Sequence, residues 1–123
     1  MNYPNYDTTA DHLNRLAQRC FDASKANGWY DADISRTFGD IVALIHTEAS
    51  EAFEEYRNGR ALNETYYNPD KPTKPEGVPS ELADIVIRVL DTCGANGIDI
   101  GAIVEEKLAY NATRGHRHGG KAL

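Results

Sequence analysis

Two apolar helical runs, each carrying a pair of carboxylates where charge is normally excluded, constrain this chain more than any other feature. The first pair is Glu48 and Glu51, in a run that includes Ile41, Leu44, Ile45, Ala49, Ala52 and Phe53. The second is Glu81 and Asp84, inside Leu82-Ala83-Asp84-Ile85-Val86-Ile87. The i, i+3 spacing puts both carboxylates of a pair on one helix face, about 5–6 Å apart at Cβ. Glu81, Asp84, Arg88 and Asp91 follow one another at 3-4-3 spacing and make one narrow polar line. A helix that is apolar on nearly every other side is a core helix, and its polar line must face something polar. Glu48, Glu51 and Glu55 run along one flank of the earlier stripe, whereas Glu54 points away from it.

Four carboxylates converging in a core repel one another and are costly to ionise unless a cation neutralises them. Oxygen donors with no His or Cys among them favour Mg2+, with Mn2+ as a substitute, over zinc or iron. One acidic pair on a helix would simply be a solvated face. Two pairs, each embedded in an apolar helix, point to a shared site.

The 123 residues are expected to form a single domain, 1–123, large enough for one core without staples. A net charge of −6 argues against general nucleic-acid binding. No apolar stretch is long enough to span a bilayer, and the amino terminus shows no signal-peptide pattern. Cys20 and Cys93 each fall on a helical apolar stripe and read as small core residues, so a reducing, cytoplasmic location is expected.

In chain order, residues 1–6 read as a short arm. Thr8 and Asp11 form a capping box before a helix with Leu13, Leu16, Ala17, Cys20 and Phe21 on one face, ended by Asn27-Gly28. Trp29 and Tyr30 follow; they could pack on helix ends or stack on a base. The second helix is expected from about Arg36 to Asn58, with His46 packing or supporting a neighbouring ligand rather than serving as one. Residues 60–79, with Pro69, Pro72, Pro75 and Pro79, read as a long irregular loop that could be a lid, a subunit-contacting arm or a tolerated insertion. Pro79 opens the third helix and Asp99 caps a fourth, in which Ile100, Ile103, Val104 and Leu108 should face the core. The fourth helix places Lys107, Asn111 and Arg114 on one face and leads into a basic tail, 115–123, with His116, Arg117, His118 and Lys121. Such a tail on an acidic chain is expected to fold back on an acidic surface, and Arg and Lys are the residues that contact phosphate.

These features together, Glu48/Glu51, Glu81/Asp84 and the KxxxNxxR pattern of Lys107, Asn111 and Arg114, resemble the all-α nucleoside triphosphate pyrophosphatase superfamily, the MazG-like proteins, over residues 37 to 121. The resemblance implies that the four acidic residues bind Mg2+ and carry catalysis, the general base not being assigned among them. It also implies that Lys107, Asn111 and Arg114 contact the phosphates and sugar of a nucleotide, with Arg117 and Lys121 adding charge. The separation of the acidic pairs is long for that family because of the proline-rich segment. The implied fold is all-α, a bundle of about four helices in a homodimer or homotetramer. The breadth of the apolar surface on the third helix independently calls for a homo-oligomer. The implied reaction is Mg2+-dependent hydrolysis of a nucleoside or deoxynucleoside triphosphate to the monophosphate and pyrophosphate. The alternative is a non-catalytic helical module that uses its acidic face to bind a basic partner. A carboxylate-bridged di-iron bundle would need Glu-x-x-His pairs, which neither acidic pair supplies.

Overall fold

The computed structural model describes residues 7–123, so the arm expected at residues 1–6 lies outside the described residues. The chain is mostly helical: α1 (Thr9–Ala26), α2 (Phe38–Arg57), a hairpin of β1 (Tyr66–Asn68) and β2 (Lys71–Glu76), α3 (Val78–Ala95), α4 (Ile100–Thr113) and the single turn α5 (Arg117–Gly120). Among the described residues no helix is long and apolar enough to cross a membrane.

Local chemistry sets the helix boundaries. Thr8 and Asp11 cap α1 reciprocally, and Thr37 and Asp40 repeat the device at α2. In each, the threonine hydroxyl accepts from the N3 amide while the aspartate accepts from the cap amide, so two otherwise orphaned donors are satisfied. At the end of α1 the Trp29 amide donates to the Ser24 carbonyl across Gly28, whose φ of 88° suits a residue without Cβ. Gly59 closes α2 in the same way at φ 85°, with the Arg60 amide donating to the Glu55 carbonyl.

Helix α3 is the central element, packed by α1 along one side and by α2 along another. Ala17 and Cys20 of α1 meet Leu90 and Cys93 of α3 in a small buried cluster, flanked by Leu13, Val89 and Ile100. Both cysteines are free and buried there, as their positions on apolar stripes led us to expect. Burying a side chain the size of Leu90 contributes about 1.5–3 kcal/mol.

Helix α4 docks on α1 through its first turn. The Asn14 amide nitrogen donates to Asp99 Oδ1 at 2.8 Å, and Asn14 Oδ1 accepts the Gly101 amide at 2.8 Å. Asp99 Oδ1 also accepts the Ala102 amide, as expected of its cap position. Farther along α4, Ile103 and Leu108 do not reach the core; they are 49% and 58% exposed. The docking is confined to the helix start, so the rest of its apolar face stays open.

The segment expected to be an irregular loop contains an antiparallel hairpin. Tyr66 lies opposite Glu76, Tyr67 opposite Pro75 and Asn68 opposite Lys71, with an irregularity between Tyr67 and Asn68. Each strand of a two-stranded ribbon has an open edge, which is where a residue without an N–H is tolerated. Asn68 Oδ1 accepts the Asp70 amide and turns the chain at Asn-Pro-Asp. Tyr66 Oη donates to the Glu55 carboxylate at 2.9 Å, the Arg60 guanidinium stacks 3.6 Å from the Tyr66 ring centroid, and Ser80 Oγ donates to the Pro75 carbonyl at 2.8 Å. The hairpin is thereby tied to both helices that bear the acidic pairs.

Substitution of two glycines should separate packing from propensity. A Cβ at Gly101 would run into the backbone of Ala10, whereas one at Gly39 would meet nothing closer than Thr37 Oγ1 at 3.5 Å. Gly101→Ala is expected to cost about 1–3 kcal/mol by forcing α4 off α1. Gly39→Ala should be neutral or stabilising by about 0.4–1 kcal/mol. Urea unfolding followed by circular dichroism measures both.

Candidate functional site

The groove between α2 and α3 collects the acidic residues. Glu48, Glu51 and Glu81 each offer a carboxylate oxygen, and these oxygens lie within 4.8 Å of one another. Glu48 is buried, Glu81 is half-buried and Glu51 is exposed, so the group opens to solvent on the Glu51 side. Glu48 and Glu51 stand one turn apart on α2, and the packing of α2 on α3 brings Glu81 to them.

One carboxylate is already compensated. Arg88 Nε donates to Glu48 Oε1 at 2.9 Å, across the helix pair. A buried carboxylate without such a partner would be strongly destabilising, and the pair sets the register of α2 against α3. Glu81 is not compensated: its Oε2 is buried and has no hydrogen-bond partner. Burial first, then hydrogen bonds to Glu51 and Glu48 and the charges of Glu51 and Asp84, push the Glu81 carboxyl up to about 8. A hydrogen bond between two carboxyl groups needs a proton on one of them, which is why neighbouring carboxylates raise the proton affinity of Glu81.

Asp84 lies one turn beyond Glu81, outside the group of three. Its carboxyl is raised by burial and by the charge of Glu48, and drawn back by Arg88 and Lys74. Lys74 sits on β2 and pairs with Glu76 at 3.3 Å, and its charge also reaches Asp84.

The expected phosphate contacts are placed differently. Lys107 and Arg114 flank the ring of Tyr110 on α4, with Nζ and Cζ 5.8 Å and 5.9 Å from its centroid. Asn111 is half-buried, and Arg114, Arg117 and Lys121 are exposed. Among the described residues, no ion pair joins Lys107, Arg114, Arg117 or Lys121 to an acidic side chain. The tail therefore does not fold back on the acidic groove. It passes instead through the left-handed region, with φ of 48° at Arg117 and 49° at His118. His46 is exposed, so it does not pack in the core.

Compared with models of known protein families, with curated proteins and with solved structures, the chain matches none. Arg88 is the residue whose part in the site is least evident from the sequence alone. It lies on the same line as Glu81 and Asp84, and a cation on an acidic line is the available sign that a carboxylate from another helix will pair with it. The roles of Lys74 and of Glu55, which holds Tyr66, depend on the hairpin.

Proton linkage at Glu81 gives a direct check. Its carboxyl binds a proton more tightly folded than unfolded, where the ordinary value is 4.5. The resulting stability is complete below about 4.5 and is lost as pH rises through about 8. Asp84 is shifted in the same direction. With EDTA present, the thermal midpoint should fall between pH 5.5 and 8.5, and Glu81→Gln should flatten that slope. A midpoint rising over this range in the unaltered protein would contradict the assignment.

Proposed function

We propose that this chain is a Mg2+-dependent nucleoside triphosphate pyrophosphohydrolase, which releases the monophosphate and pyrophosphate. The observation that carries the reading is the convergence of Glu48, Glu51 and Glu81 from two helices, with a Glu81 oxygen buried and unpartnered. An all-carboxylate donor set in which one member resists ionisation fits a hard divalent cation, Mg2+ or Mn2+. Bound there, the ion supplies positive charge and acidifies a water.

The chain's own residues divide the remaining work. Arg88 holds Glu48 in place across the groove. Asp84, adjacent to the three ligands with a raised proton affinity, accepts the proton of the attacking water. That water adds to the α-phosphorus, the α–β anhydride bond breaks, and pyrophosphate leaves with its electron pair. Lys74 and Arg88 supply the nearest positive charge within one chain.

Lys107, Asn111, Arg114, Arg117 and Lys121 enter the reading as phosphate and sugar contacts supplied by a second copy. Phe53 on α2, Leu82, Val86 and Ile87 on α3, and Ile103 and Leu108 on α4 are between 48% and 60% exposed. Apolar surface on this scale marks a contact surface, and a homodimer or homotetramer covers it. The free, buried Cys20 and Cys93 fit a cytoplasmic setting.

Two measurements check this reading. A panel of nucleoside and deoxynucleoside triphosphates with Mg2+ should yield pyrophosphate from at least one member. Glu51→Gln and Asp84→Asn should each abolish turnover while the far-ultraviolet circular dichroism is unchanged. No pyrophosphate from any triphosphate would favour a non-catalytic acidic module. Light scattering should give a dimer or larger at micromolar concentration, and Val86→Glu should shift it to monomer; a monomeric unaltered protein counts against the assembly.

A further inference from the structure

A second feature of the α2–α3 groove is unused by the chemistry above. Beyond the Arg88–Glu48 pair lies a cavity of about 740 Å3, bounded by α1, α2, α3 and the connector after α1. Its walls are largely apolar, with Leu16, Leu44 and Ile87 among them, and Trp29 forms part of the lining. Arg88 belongs to this wall and donates to Glu48, so the cavity and the acidic group meet at one side chain. That volume lies within the range of small-molecule sites, which are mostly apolar with a few placed polar groups.

The polar groups here are unusual in kind and in state. Arg19, Arg36 and Arg88 face the cavity against Asp22 and Asp91, a positive excess inside a chain of net charge −6. Arg88 is engaged by Glu48. Arg36 is mostly buried, its guanidinium set 5.3 Å from the Trp29 ring centroid and 5.6 Å from that of Tyr30. Its Nη2 comes no nearer than 3.9 Å to Asp91 Oδ2, too long for a hydrogen bond, and has no other partner. Asp91 is meanwhile held by Tyr30, whose Oη donates to Oδ1 at 2.7 Å. A buried guanidinium donor with no acceptor is a costly arrangement for a folded chain to keep without a purpose. Both neighbouring rings fix its direction, and a shift of about 1 Å would bring Nη2 within bonding range of an acceptor.

We infer that this cavity, bounded by Trp29, Arg36 and Asp91, receives the base of the nucleotide, and that Arg36 selects bases with a ring carbonyl on the presented edge. The inference rests on the hydrolase reading for the position of the phosphates, which the acidic group would hold beyond Arg88. A flat heterocycle fits an apolar cavity with an indole in its wall. A carbonyl oxygen is the acceptor that a fixed guanidinium recognises, as in arginine contacts to guanine, and adenine has none. Arg36 is thus a specificity-determining residue, separate from the carboxylates that carry the reaction.

Trp29 is the only tryptophan in the chain, so the fluorescence signal comes from a single side chain in the wall of this cavity. The test titrates the full-length protein in EDTA with uridine, cytidine, guanosine and adenosine 5′-monophosphates, corrected for ligand absorption, with ribose 5-phosphate as a competitor. Saturable quenching by at least one of the three carbonyl-bearing nucleotides is expected, with adenosine monophosphate weaker by about tenfold or more. Arg36→Gln should remove that discrimination while leaving the circular dichroism intact. If that variant does not fold, the nucleotide panel on the unaltered protein decides alone. Equal response to all four bases, or displacement by ribose 5-phosphate as effective as by a nucleotide, would overturn the base-reading role. Absent quenching in a protein that does release pyrophosphate would overturn the cavity assignment and leave hydrolysis standing. Base-selective quenching in a protein that hydrolyses no triphosphate would do the reverse.

Discussion

The pairing of Arg88 with Glu48 is the interaction on which the rest of the arrangement depends. It is formed between residues 40 apart in sequence, with the Glu48 side chain almost wholly removed from water. Because a buried carboxylate is tolerated only with such a partner, α2 and α3 have one favourable register. That register brings Glu51 and Glu81 to the same place and leaves Glu81 short of a partner. It also puts the other side of Arg88 on the wall of the cavity that Arg36 and Trp29 border. One ion pair therefore separates an anionic half of the groove from a cationic and apolar half. A nucleotide has the complementary division, a polyphosphate that needs metal and a base that needs an apolar wall.

Helix α3 concentrates these demands. Its polar line, from Glu81 through Asp84 and Arg88 to Asp91, spans both halves of the groove, and Asp91 at its end orients Tyr30 and faces Arg36. Its Leu90 and Cys93 supply the buried contact with α1. Leu82, Val86 and Ile87 remain half-exposed, because α1 and α2 together cover only part of the circumference. The small buried cluster and the broad uncovered surface have one cause: two packed helices cannot close around a helix that is apolar on most sides. The proposed assembly of copies would cover that surface, and it would also bring the cationic end of α4 to the acidic groove of a neighbouring copy.

Local signals in the sequence were legible because they act over one helical turn. The Thr8–Asp11 box, the glycine end of α1, the Asp99 cap and the carboxylate spacing each needed only the neighbouring residues. The convergence of Glu48, Glu51 and Glu81 was legible too, although the expected fourth member, Asp84, lies outside the group of three. Three things were not. The hairpin is held by long-range ties, Tyr66 to Glu55 and Ser80 to Pro75, which proline content alone obscures. The exposure of Ile103 and Leu108 follows from the hydrogen-bonded anchoring of α4 at its start, where Asp99 and Gly101 meet Asn14 of α1, and a stripe of apolar residues does not say which surface will cover it. Arg36, in a connector without periodicity, becomes notable only when Asp91 and two aromatic rings are found around it.

In the proposed reading, Glu48, Glu51 and Glu81 together bind a divalent cation. Titration of Mn2+ followed by electron paramagnetic resonance tests it without reference to any substrate. Saturable binding to the unaltered protein is expected, competed by Mg2+, and weakened by about tenfold or more in a Glu51→Gln, Glu81→Gln double variant of unchanged helical content. Equal binding by the two proteins, or no saturable binding by either, would contradict it.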